Sequence, residues 1–341
     1  MNNKLHVAVW LVALLAVPQF SWAQQIPSGL TYVSAPSALA GVLRGEAPKS
    51  LAELRALEQQ QRSVSQRVAK CTVNVQIGYA QGSGVIITDD GYILTAAHVA
   101  MRPGQQAILT LEDGRQVKGT TLGMNRFVDA GLIKIDDTPP DEGWPFATLG
   151  TSANVVPGTW CIAVGHPGGY ESQRGAVIRI GRVLIKRDTS LVTDCVLIGG
   201  DSGGPLFDLN GKLIGVHSRI GNDVTDNLHV PIDHYDEHWT RLANSEIWGH
   251  LPGFRPRIGV QGRPLETRAV IDAVGKGSPA DEAGIKPGDI IKNFGDVVIA
   301  DFESLKAAVS DTMPGEHVRV VVERDGVQKR MILVVGRDPN S

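Results

Sequence analysis

Gly199-Gly200-Asp201-Ser202-Gly203-Gly204-Pro205-Leu206 sets a serine on a glycine-flanked turn, where backbone amides can be aimed at a developing negative charge. Serine is a poor nucleophile until a base takes its proton as it attacks, and histidine suits that task because its pKa lies near the working pH. Thr95-Ala96-Ala97-His98-Val99 supplies the histidine, and Val128-Asp129-Ala130-Gly131-Leu132 supplies a carboxylate able to hold the imidazole in one tautomer. In this reading Ser202 attacks, His98 carries the proton, Asp129 orients His98, and the amides of Gly200 and Ser202 form the oxyanion hole. Each piece alone is common. In this order, each beside an apolar run, they imply a serine protease.

Such residues need a scaffold, and the sequence describes a β-rich one. Short apolar runs at 71–77, 84–88, 92–95, 107–111, 116–122, 132–135, 160–164, 176–185, 195–198, 205–208 and 213–218 alternate with turn signals such as Asp90-Gly91 and Asn210-Gly211. Many short strands at near-regular spacing suggest a β sandwich or barrel. Ahead of them, 24–65 reads as a flexible lead-in ending in a helix, announced by the capping-box pattern Ser50-Leu51-Ala52-Glu53. A closing helix is expected at 231–243, then a linker at 244–256. The remainder, 257–338, has strands of its own and two helices, the longer capped by Asp301.

The bulk composition narrows the function classes. With 33 Lys+Arg against 36 Asp+Glu, the net charge of −3 gives no basis for binding nucleic acid. Lys4, an apolar run at 5–17 and Ser21-Trp22-Ala23 read as a signal peptide over 1–23, which sends the mature chain to the periplasm or beyond. An uncleaved membrane anchor is the alternative, although 13 apolar residues fall short of the ~20 a span needs. Of the three cysteines, Cys71 reads as a buried small hydrophobe, while a bridge between Cys161 and Cys195 is compatible with export and is left open. The nine histidines and three cysteines show no metal-ligand spacing, so no metal or organic cofactor is expected.

At these residues the chain resembles the trypsin-like serine proteases and, among them, the HtrA/Deg family. Gly82-Ser83-Gly84-Val85-Ile86-Ile87 with Gly91-Tyr92-Ile93-Leu94-Thr95-Ala96-Ala97-His98 is similar to that family's histidine region, and Val128-Asp129-Ala130-Gly131-Leu132-Ile133-Lys134 to its aspartate region. Gly277-Ser278-Pro279-Ala280 and Lys286-Pro287-Gly288-Asp289-Ile290-Ile291 resemble a PDZ domain of such proteases. The resemblance implies a mainly β fold, with a trypsin-like double β-barrel protease domain at 66–243 followed by an α+β PDZ domain at 257–338. It implies that the amides of Arg257, Ile258, Gly259 and Val260 grip the carboxylate of a C-terminal peptide, which adds as a strand along that edge. Unfolded or damaged proteins are the implied substrates, and a homotrimer is consistent with it.

The departures from the family pattern are informative. Asp201 stands where the family carries Asn, and a buried carboxylate there needs a cation, with Arg174, Arg179 and Arg182 as candidates. By resemblance Ser218 bonds Asp129, and Ile198, His217 and Ser218 line the substrate pocket. His217 looks like the histidine that reads glutamate in glutamyl endopeptidases, whereas apolar Ile198 fits the family's preference for small aliphatic residues. Only Gly78-Tyr79-Ala80-Gln81 joins the first two strands and one PDZ domain follows, which argues against large cage assemblies. Two rival functions stay open: a dormant peptide-binding or chaperone-like protein, and a regulatory protease with one target.

Overall fold

Ser50 starts the first long helix, α1 (Leu51–Val68), by accepting the Glu53 amide at 3.1 Å, while the Glu53 carboxylate accepts the Lys49 amide at 2.7 Å. Its inward stripe, Leu57, Gln60, Val64 and Val68, packs on the barrels, while Leu51 and Leu54 stand exposed among the polar residues of its other faces. The computed structural model describes residues 29–221, 223–250, 255–262 and 267–338, so the expected signal peptide lies outside the described residues.

Residues 29–49, expected to be a loose lead-in, are instead packed down. Leu39 and Val42 are buried in the core, Thr31 Oγ1 donates to Gly211 O at 2.6 Å, and Val33 N donates to Asn210 O. Gln60 secures this strap from beneath, donating to Val33 O at 2.9 Å and to Leu209 O at 2.7 Å. A few apolar anchors and backbone hydrogen bonds order a segment whose Ser, Pro, Ala and Gly content suggested otherwise.

Twelve strands then close into two six-stranded barrels of like topology. The first holds β1 (Thr72–Ile77), β2 (Ala80–Ile86), β3 (Tyr92–Ala96), β4 (Gln106–Thr110), β5 (Gln116–Asn125) and β6 (Ala130–Ile135), with β6 returning to pair β5. The second holds β7 (Trp160–Gly165), β8 (Val177–Arg187), β9 (Ser190–Thr193), β10 (Pro205–Asp208), β11 (Lys212–Ile220) and β12 (Asn227–Pro231), closed by pairing of β10 with β11. A one-turn helix, α2 (Ala97–Ala100), follows β3. Closure leaves the loops at one seam between the barrels, and that seam receives α2, the β5–β6 loop and the β9–β10 loop.

The single closing helix expected at 231–243 is broken in two, α3 (Asp233–Glu237) and α4 (Trp239–Ala243), at His238. The span expected as a linker also begins later than 244. Ile247 and Trp248 run parallel to Met124 and Asn125 as an added strand, and Met124 N and Arg126 N donate to Glu246 O and Trp248 O. The open edge of β5 recruits them, because its amides need acceptors.

The C-terminal domain has a separate core that includes Ile271, Ile291, Phe294, Phe302, Leu305 and Val320. Its sheet runs β13 (Val260–Gly262), β14 (Ala269–Val274), β15 (Ile290–Phe294), β16 (His317–Arg324) and β17 (Val327–Val334) in order, leaving β13 as an edge. Helices α5 (Pro279–Glu282) and α6 (Phe302–Ser310) complete it, the second begun by a full capping box between Asp301 and Ser304. Two buried contacts join it to the first barrel. Arg102 Nε lies 2.7 Å from Glu316 Oε1, and Arg126 Nη2 donates to Asp311 O at 2.7 Å and to Met101 O at 3.1 Å. Among the described residues no helix is long and apolar enough to cross a membrane.

Replacing Gln60 with Ala strands two acceptors under the N-terminal strap, so urea unfolding is expected to show a loss of about 2 kcal/mol. An unchanged midpoint would mean the two Gln60 hydrogen bonds add nothing to stability.

Candidate active site

Asp129 sits in the β5–β6 loop with φ of +71°, a left-handed conformation that short polar side chains tolerate better than branched ones. The bend is locked by Ala97 N donating to Asp129 O at 3.0 Å. The carboxylate is fully buried and accepts from three donors: His98 N at 3.0 Å, His98 Nδ1 at 2.9 Å, and Ser218 Oγ at 2.5 Å. Since an ionised carboxylate only accepts, His98 Nδ1 carries the proton and Nε2 keeps the lone pair. Burial pushes the His98 imidazole down, Arg219 adds to that, and the charge and hydrogen bond of Asp129 outweigh both, leaving its pKa raised above the ordinary histidine value.

Ser202 follows β9 on the loop into β10, and its hydroxyl donates to Ser218 O at 3.1 Å. Ser218 therefore holds the carboxylate with its side chain and the nucleophile with its backbone. The glycines around Ser202 have steric work. Gly200 has φ of +99°, and a Cβ there would overlap His166 O and Gly168 N. Gly203 has φ of +85°, and its Cβ would overlap Ser83 O and Thr95 Oγ1.

Two anchored carbonyls orient the amides expected to bind an oxyanion. Gly168 N donates to Gly199 O at 2.7 Å, and Gly204 N donates to Asp201 O at 2.9 Å. A trans peptide points N–H opposite to C=O, so the amides of Gly200 and Ser202 face away from those donors. Neither amide donates to a protein acceptor among the described residues. The arrangement can place a base beside a serine hydroxyl and present two free amides on the same loop.

Ser83 is the positioning residue that reading the sequence did not single out. It is buried in β2 and bridges the barrels three ways: its hydroxyl donates to Gly200 O at 2.8 Å and accepts from His166 N at 2.9 Å, and its amide donates to Ser202 O at 2.7 Å; its carbonyl accepts from Thr95 Oγ1 within the first barrel. The available signal was Gly82-Ser83-Gly84, since glycines within a strand mark a close backbone approach.

Asp201 finds its cation in Arg179 of β8, with Nη2 at 3.0 Å from Oδ2 and Nη1 at 3.3 Å from Oδ1; Ile198 N adds a third bond at 3.0 Å. Burial drives the Asp201 carboxyl above its ordinary value in spite of these partners. Arg174 and Arg182 are used elsewhere. Arg174 donates to Pro167 O and Gly169 O, shaping the loop beside Gly200, and Arg182 lies over the Trp160 ring.

The three pocket candidates are not together. Ile198 is half exposed at 51%, whereas His217 is at 0% and Ser218 at 4%. His217 Nδ1 pairs with His229 Nδ1 at 2.9 Å, and His229 Nε2 with Thr193 Oγ1 at 2.8 Å, so His217 points into the second barrel's interior. Burial pushes the His217 imidazole well below the usual range, helped by His229 and Arg179, and burial takes His229 to about 3. Both rings are neutral at ordinary pH.

In the C-terminal domain, Ile258 O accepts from Ala280 N and Gly259 O from Gly275 N, both at 2.9 Å. The amides of Gly259 and Val260 therefore point the opposite way, at the free edge of β13. Gly259 has φ of +78°, and its Cβ would overlap Ser278. Arg257 is exposed and Ile258 is buried at 4%.

Comparison with known proteins matches residues 82–216 to the trypsin-like peptidase domain and residues 256–334 to the PDZ domain. A probable periplasmic serine endoprotease, DegP-like, of Halomonas elongata is 30% identical over 276 residues, covering 76% of this chain and 57% of that one. The putative serine protease HhoA of Synechocystis sp. is 32% identical, covering 74% and 66%. The chain thus spans about three-fifths of the length of these curated relatives. Among solved structures, the HtrA-type protease AlgW with a tripeptide matches at a TM-score of 0.47 and 25% identity, covering 80% of this chain and 96% of that one. The serine endoprotease from Yersinia pestis matches at 0.46 and 26%, covering 86% and 100%.

Two measurements test the geometry. A general base must be unprotonated, so kcat/KM for peptide cleavage is expected to fall as pH drops through the raised pKa of His98. Asp129→Asn should lower kcat about 10⁴-fold and move that limb down; an unmoved limb would assign it to another group. Arg179→Ala leaves a buried carboxylate without its cation and should cost about 3–5 kcal/mol in unfolding free energy, with Arg179→Met plus Asp201→Asn recovering most of it.

Proposed function

The chain belongs to the HtrA family of trypsin-like serine proteases with one PDZ domain, and from that premise we propose that it is an exported endopeptidase acting on unfolded or damaged proteins. Ser202 Oγ attacks the scissile carbonyl as its proton passes to His98 Nε2, and the tetrahedral oxyanion is held by the Gly200 and Ser202 amides. Collapse of that intermediate breaks the C–N bond, with the proton on His98 going to the leaving amine and the acyl group staying on Ser202. Water, deprotonated by His98, then frees the acid. Asp129 stays ionised throughout and stabilises the imidazolium.

One observation carries this reading: a single buried carboxylate is bonded to His98 Nδ1 and to Ser218, whose carbonyl accepts from Ser202. The periplasm is the proposed compartment, supported by the names of relatives and by residues 1–23. The half-exposed Ile198 and the buried, neutral His217 favour a small aliphatic residue before the cut over glutamate. C-terminal peptides are the proposed ligands of the β13 edge, added as a further strand.

A regulatory role for that groove has its own support. Arg126 lies three positions before Asp129 and is buried at 2%, where it joins Asp311 O at the end of α6 to Met101 O beyond α2. A peptide seated against α6 is therefore mechanically close to the His98 and Asp129 loops.

Casein cleavage by the mature protein beside Ser202→Ala, with and without C-terminal peptides, tests the proposal. Expected is loss of all cleavage in the variant, and faster turnover of Val- or Ala-terminated chromogenic peptides than of Glu-terminated ones. Cleavage surviving in Ser202→Ala would remove the assignment, and none in the parent protein would favour a peptide-binding role.

A further inference from the structure

A second cluster of chemistry-bearing side chains lies away from the seam, on α3 and the residue that ends it. His234, Glu237 and His238 stand at positions i, i+3 and i+4, which a helix brings to one face. One ligand atom from each lies within 4.8 Å of the others. His234 Nδ1 is 3.2 Å from Glu237 Oε2, and His238 Nδ1 is 4.0 Å from the same oxygen.

The protonation pattern makes the first of these distances informative. His234 Nε2 lies 2.8 Å from Asp188 O, in the turn between β8 and β9. A carbonyl only accepts, so Nε2 carries the proton, and in a neutral ring Nδ1 presents its lone pair to Glu237. Two acceptors at that separation need a cation between them or a proton on the imidazole. The hydrogen bond from the far nitrogen to a backbone carbonyl is also the support that metal-bound histidines use to fix their tautomer and ring plane.

His238 is oriented as well. It occupies the break between α3 and α4, with φ of −115° and ψ of 12°. Its ring stacks on Trp248 at 5.5 Å and 17°, and Arg241 covers the other ring at 3.9 Å. Its Nδ1 lies 3.1 Å from His234 O; coordination through Nδ1 breaks that bond and releases the proton to solvent. Asp233 and Asp236 line the same cavity as Glu237, so the surroundings favour a cation. The side chains of His234, Glu237 and His238 are 18%, 59% and 30% exposed, which leaves an entry path and room for a water ligand.

We propose that His234, Glu237 and His238 form a binding site for a divalent transition metal of the zinc type, which clamps α3 to the Asp188 turn. Two imidazole nitrogens and one carboxylate oxygen suit zinc, whereas calcium and magnesium select all-oxygen sets. The site is independent of the serine chemistry, since none of its residues contacts His98, Asp129 or Ser202 among the described bonds.

The test is calorimetric titration of the tag-free, metal-stripped mature protein with Zn²⁺, paralleled by Co²⁺ absorption and Trp fluorescence. Expected are one equivalent bound, visible d–d bands for Co²⁺, and a melting temperature raised by Zn²⁺. His234→Ala, His238→Ala and Glu237→Gln should each weaken binding about tenfold or more. Glu237 is largely exposed, so Glu237→Gln keeps the test valid if a histidine variant misfolds. Absence of saturable Zn²⁺ binding to the parent protein, or equal affinity in Glu237→Gln, would overturn the site.

Discussion

A single buried carboxylate holds the two barrels to one purpose. Asp129 comes from the first barrel, and its donors come from both: His98 from the helix after β3, Ser218 from β11 of the second. An ionised group without water must have its lone pairs filled, so each donor is held in place by the penalty of leaving the charge exposed to a low dielectric. The same demand aligns the imidazole, sets its tautomer and raises its pKa. Separating the barrels by even one hydrogen-bond length would strip Asp129 of Ser218, and with it the carbonyl that accepts from Ser202.

Around that charge, the nucleophile loop is shaped mainly by backbone groups. Gly199 and Asp201 are anchored by their carbonyls, Gly200 and Gly203 supply conformations closed to other residues, and Ser83 threads its hydroxyl and amide through the loop from the opposite barrel. Arg179 then neutralises Asp201, which would otherwise be a second buried charge within the loop. Preorganised dipoles of this kind need no reorientation as charge develops, which is how such a site lowers a barrier. The C-terminal domain reaches the same neighbourhood through Arg126 and the Arg102–Glu316 pair.

Much of this was legible in the sequence because the chemistry uses local signals. Glycine flanks, strand alternation and turn dipeptides are short-range, so the serine, histidine and aspartate segments and a β sandwich or barrel could be read in order along the chain, while the two-barrel fold and the PDZ domain followed from the family resemblance. The misreadings share one cause. The strap at 29–49 and the strand at 247–248 have little pattern of their own and are ordered by distant partners, Gly211, Asn210 and β5. The cluster on α3 escaped a search for metal-ligand spacing among His and Cys alone, because its third ligand is Glu237.

The residue types by themselves determined that a serine, a base and a carboxylate were available, and that glycines surrounded the serine. Which arginine of three meets Asp201, which way His217 faces, and whether the Gly200 and Ser202 amides stay unpaired were decided only by tertiary structure. Those outcomes depend on strand register and on the closure of each barrel. Arg179 and Arg182 differ by three positions on one strand and so leave opposite faces of it, which sends one beneath the nucleophile loop and the other onto Trp160. His217 lies directly opposite His229, and the register shift at Ser218 in β11 leaves that next residue facing Asp129. Side-chain direction follows from a residue's place in a closed sheet, and closure is a property of the whole chain rather than of any segment.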